Sequence, residues 1–73
     1  MGDGVRYLTE MVARVVARNN PEDSNDVNWF AAERVALNFC KMNLLSDGEV
    51  RSHIASLPGS DAVKMSYVFD GVL

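Results

Sequence analysis

The side chains that most often carry chemistry are scarce in this 73-residue chain, which holds one histidine, His53, and one cysteine, Cys40. A metal site needs three or four N, O or S ligands converging on one point. His53 and Cys40 fall on different predicted helices, and neither CxxC nor HxxxH spacing occurs. Nucleophile–base triads fail for the same scarcity, because His53 is the only imidazole available and no orienting partner can be named for it. Cys40 lies in an apolar stretch and reads as a small buried hydrophobe rather than a reactive thiol. His53, next to Val50 and Ile54, reads as a boundary residue. The carboxylate pairs Asp23/Asp26 and Asp47/Glu49 belong to a polar loop and a helix cap. Gly48, Gly59 and Gly71 stand alone, with no phosphate-binding loop around them. The expectation is a protein that is not an enzyme and uses no cofactor and no metal.

A charged row is more informative. Arg6, Glu10, Arg14 and Arg18 recur every fourth residue, opposite Leu8, Val12 and Val15. Such a ridge is either a solvated face laced by i,i+4 ion pairs or a docking surface. Glu10 can neutralise only one arginine at a time. The others are then free to bond carboxylates or phosphates through their two-pronged guanidinium. Tyr7 flanks the row as an aromatic anchor or as a core residue. Arg6, Tyr7, Glu10, Arg14 and Arg18 are therefore the candidate partner-binding residues.

Composition sets the surroundings. Hydrophobic residues make up 48% of the chain and the net charge is −3. The first value suits a folded domain, and the second argues against a general affinity for nucleic acid, which needs Lys and Arg to neutralise phosphates. A single thiol forms no internal disulfide, no segment reads as a signal peptide, and the longest apolar run, Trp29-Phe30-Ala31-Ala32, is too short for a bilayer. A cytoplasmic protein with no membrane partner and no small-molecule substrate is expected. Charge is uneven: Arg6, Arg14 and Arg18 outweigh Asp3 and Glu10 in the first 20 residues, whereas Glu22, Asp23 and Asp26 follow without a base.

These residues must be positioned by a mainly α fold, a small bundle of three or four short helices in a single domain spanning 1–73. Residues 1–4 offer nothing to pack and are expected to fray. Val5, Leu8, Val12 and Val15, widened by Met11 and Val16, predict an amphipathic helix to Arg18. Asn19-Asn20-Pro21 ends it, because the residue before proline is pushed out of the helical region and asparagine tolerates a left-handed turn. Ser24, Asn25 or Asp26 caps a second helix, 27–42. Trp29, Phe30, Ala32, Ala36, Leu37, Phe39 and Cys40 cover more than half its circumference, so it is expected to be the central element. Ser46-Asp47-Gly48-Glu49 matches the capping box, with Leu45 and Val50 placed as a hydrophobic staple, and Pro58-Gly59 stops that third helix. In the tail, Val63, Met65, Tyr67 and Phe69 alternate like a strand, while Ala62, Met65, Phe69 and Val72 fit a helical face. A lone strand would leave its edges unpaired, which favours a fourth helix. A strand there would have to pair with a partner or a second copy.

Three binding classes fit such a bundle. A helix-turn-helix DNA reader would use residues 46–57 and 60–70, but its second helix offers only Lys64 against Asp61 and Asp70. An acyl-carrier-like domain would use Ser24 within Asp23-Ser24-Asn25, which lacks the apolar residue after the serine. A non-catalytic, protein-binding regulator is the reading preferred. In length, its four methionines and its Tyr67- and Phe69-containing tail, the chain resembles small phage-encoded regulators of host RNA polymerase, as found in Xanthomonas-infecting phage. The resemblance implies a host protein assembly as partner, at the N-terminal region of the polymerase β′ subunit. It further implies inhibition of initiation by displacing the sigma factor, antitermination, a host-cytoplasmic setting and only indirect contact with nucleic acid. It assigns no residue by position.

Overall fold

The computed structural model describes residues 2–70. Four helices follow one another: α1 (Asp3–Asn19), α2 (Asn25–Met42), α3 (Val50–Ser56) and α4 (Asp61–Asp70), with a one-turn 3-10 helix (Asp47–Glu49) leading into α3. The tail is helical as far as Asp70, so the strand alternative does not hold for residues 61–70. Val72, assigned to its core face, lies outside the described residues.

The first helix starts two residues earlier than expected. Of the residues expected to fray, Asp3 and Gly4 are helical, and Gly2 is the N-cap and accepts from Arg6 N–H at 3.0 Å. No cap side chain stands at Gly2 itself. The carboxylate of Asp47, 42 residues away, accepts the Val5 N–H at 2.9 Å instead. Gly4 is buried, and a Cβ there would run into the backbone carbonyl of Asp47. Glycine at this position thus lets α1 touch the 3-10 turn backbone to backbone. A long-range cap of this kind leaves no local signature.

Asn20 ends α1 where expected, the residue before proline standing outside the helical region. Its φ is −133°, not left-handed, and both its N–H and its side-chain amide donate to Val16 O at 2.9 Å. Ser24 caps α2, its hydroxyl accepting from Val27 N–H at 3.2 Å. Buried Asn28 bridges the turn by donating to Asn20 O at 3.5 Å. The capping box before α3 forms: Glu49 Oε1 accepts from Ser46 N–H at 3.0 Å and from the Ser46 hydroxyl at 2.6 Å. These bonds, helped by the nearby His53, hold the Glu49 carboxyl below its usual range. Pro58-Gly59 ends α3 as expected, with Gly59 at φ +90°.

The core comprises Leu8, Met11, Val12 and Val16 of α1, Ala32, Ala36, Phe39 and Cys40 of α2, Val50 and Ile54 of α3, and Met65 and Val68 of α4. Each large aliphatic side chain fully buried here contributes on the order of 1.5–3 kcal/mol. The central element is α1, which packs against all the others; α2 was expected in that role. On α2 the small residues Ala32 and Ala36 face α1 and are completely buried, whereas Phe30 is 65% exposed and Leu37 46%. Phe39 and Cys40 complete that buried side, and Phe30 and Leu37 lie on the side turned to solvent. Trp29 is half-buried and lies outside the core cluster.

Candidate functional site

A helix advances 100° per residue, so a row spaced every fourth residue drifts about 40° per step around its axis. The arginine row of α1 therefore spirals instead of forming one ridge, and the structure divides it. At its start Arg6 Nε donates to Glu10 Oε1 at 3.4 Å, with both side chains largely exposed. A pair of this sort contributes little to stability or recognition. Tyr7 lies apart from it, half-buried against the core, with the Arg51 guanidinium 4.5 Å above its ring. That cation–π contact ties α1 to α3. Arg6, Tyr7 and Glu10 thus satisfy one another or their neighbours.

Arg14 and Arg18 are placed differently. They line an open groove of about 450 Å³ between α1 and α4. Its floor is apolar: Met11 and Val15 come from α1, Met65 and Phe69 from α4. Met11 and Met65 are almost fully buried, whereas Val15 and Phe69 are half-covered and present their remaining surface to the groove. Asp61 and Ser66 stand on the opposite wall. Among the described residues neither Arg14 nor Arg18 has a carboxylate within ion-pairing distance, Asp61 included. Two guanidiniums with no ion-pair partner among the described residues, beside the open surface of Val15 and Phe69, favour a ligand with both apolar surface and negative charge.

Of the expected five residues, the structure brings Arg14 and Arg18 into one site and leaves Arg6, Tyr7 and Glu10 outside it. Sequence reasoning missed the α4 wall. Its signal was present in the Ala62, Met65, Phe69 row, but a row of apolar residues does not reveal whether its edge is covered. Val15, assigned to the core stripe, is shared between core and groove.

The remaining reactive groups are occupied. Cys40 is buried, and burial pushes its thiol up, assisted by the Asp47 carboxylate. His53 is half-buried against Phe39, their ring centroids 5.7 Å apart. Among the described residues no group of three or more His, Cys, Asp or Glu side chains could hold a metal ion. The exposed side of α4 carries Asp61, Ser66, Tyr67 and Asp70, with Lys64 half-buried, so it presents more acid than base. No described helix is long and apolar enough to cross a membrane. Comparison with known proteins finds no matching family model, no matching curated protein and no matching solved structure.

Proposed function

We propose that this chain is a non-catalytic regulator that binds a segment of a larger protein in the groove between α1 and α4. The observation that carries the reading is the pairing of an open apolar floor with Arg14 and Arg18, two charges without an ion-pair partner among the described residues. A segment presenting one apolar row and flanking carboxylates would cover the floor and reach both guanidiniums. This is the mode in which amphipathic helices enter grooves. The resemblance to phage-encoded regulators makes the N-terminal region of the polymerase β′ subunit the first partner to test. Loss of promoter-directed initiation, together with antitermination, is the expected activity.

The test pairs binding to purified RNA polymerase with transcription in vitro. The wild-type chain should bind the enzyme and suppress promoter-directed product. Arg14→Glu with Arg18→Glu should abolish both while circular dichroism remains native, since both side chains are exposed. Retained binding by the double variant rejects the groove. Unaltered initiation and termination with wild type rejects the polymerase.

A further inference from the structure

The proposal here rests on the groove reading above and deepens it. We infer that a second copy of this chain is itself an occupant of the groove, so that self-association masks the partner site.

The surface that fits is the start of α2. Glu22, Asp23 and Asp26 are all exposed and have no basic neighbour between them. Directly after them, Val27 is 51% and Phe30 65% exposed, one turn apart on the outer face of α2. An aromatic ring left largely in water beside three carboxylates is complementary to the groove in both respects. Phe30 and Val27 match the Met11, Val15, Met65 and Phe69 floor, and the carboxylates match Arg14 and Arg18. Asp61 on the far wall repels the incoming acids and so directs them to the α1 side.

Position favours closure. The short connection after α1 and the Asn28–Asn20 hydrogen bond hold the start of α2 beside the end of α1. That is the end of the molecule where Arg14 and Arg18 stand. Groove and acidic knob thus lie towards the same end, and the proposed dimer requires a twofold axis that seats each knob in the other copy's groove. Such an isologous contact closes at the dimer. The contact is small, so the dimer is a transient one. A carboxylate-bearing protein partner competes with it directly, and the fraction of open grooves falls as protein concentration rises.

Sedimentation velocity of the full chain, from micromolar to millimolar concentration, tests this. A monomer–dimer equilibrium that weakens with added salt is expected. Phe30→Ser should raise the dissociation constant by at least about tenfold, the effect of losing a buried aromatic anchor. Asp23→Arg with Asp26→Arg should return the monomer, and adding Arg14→Glu with Arg18→Glu to that variant should restore the dimer. A monomer throughout the range, growth beyond the dimer, or a dimer indifferent to these changes overturns the inference. Binding of the Asp23→Arg, Asp26→Arg variant to polymerase separates the two readings. If it binds polymerase while no dimer forms in wild type, only self-association falls. If the dimer behaves as described but Arg14→Glu with Arg18→Glu leaves polymerase binding intact, the functional reading falls instead.

Discussion

Leu44 shows most directly what a single side chain costs this fold. It sits just past α2 with φ +55°, the only non-glycine residue at positive φ among those described, and is 89% exposed. Its N–H donates to Lys41 O at 3.3 Å and that of Leu45 to Cys40 O at 2.9 Å. This is a Schellman ending, in which glycine is normally favoured. The left-handed conformation costs an L-residue roughly 1 kcal/mol, and an exposed leucine recovers none of it by packing. Leu44→Gly should therefore stabilise the protein by about 0.5–1 kcal/mol, read as a higher urea midpoint at unchanged slope. An unchanged or lower midpoint would contradict the strain. The capping box could be recognised from four residues because its bonds are local, whereas nothing in Asn43-Leu44-Leu45 announces a left-handed leucine.

At the scale of the element, Asp47 links two helices that are far apart in sequence. Its carboxylate accepts the Val5 N–H, its carbonyl abuts Gly4, and its own turn opens α3. Asp47→Ala should cost about 1 kcal/mol, the usual value of a helix cap. The loss should concentrate in the first turn of α1 even though the change lies before α3. Amide hydrogen exchange should show Val5 losing protection while Val27, capped by Ser24, is unaffected. Equal loss at both sites would indicate general destabilisation instead. The α2 face illustrates the converse. Its apolar residues surround the helix, so periodicity could not choose a buried side. Packing did: Ala32, Ala36, Phe39 and Cys40 are buried, and Phe30 and Leu37 are left in water.

For the whole molecule, a radius of gyration of 11.5 Å matches the roughly 11 Å expected of a compact chain this long. So small a core seldom supplies more than about 3–5 kcal/mol, and bound ligand should add visibly to it. A groove-binding segment at about 100 times its dissociation constant contributes about 2.7 kcal/mol. For a domain of this size that raises Tm by at least about 10 °C. Calorimetry with and without the proposed β′ segment checks the value, and the Arg14→Glu, Arg18→Glu variant should show no such rise.

Local pattern was enough to place the first three helices, to favour a fourth, to narrow the α2 cap to Ser24, Asn25 or Asp26, and to mark the Ser46 capping box and the Pro58-Gly59 stop, because spacing, caps and breakers act within a few residues of themselves. Packing alone could assign the roles. It made α1 central, recruited Asp47 to the start of that helix, and parted Arg14 and Arg18 from Arg6, Tyr7 and Glu10. It also supplied the α4 wall that turns two surface arginines into a groove. Those outcomes depend on which faces meet and how closely, and helix spacing in a chain carries no record of either.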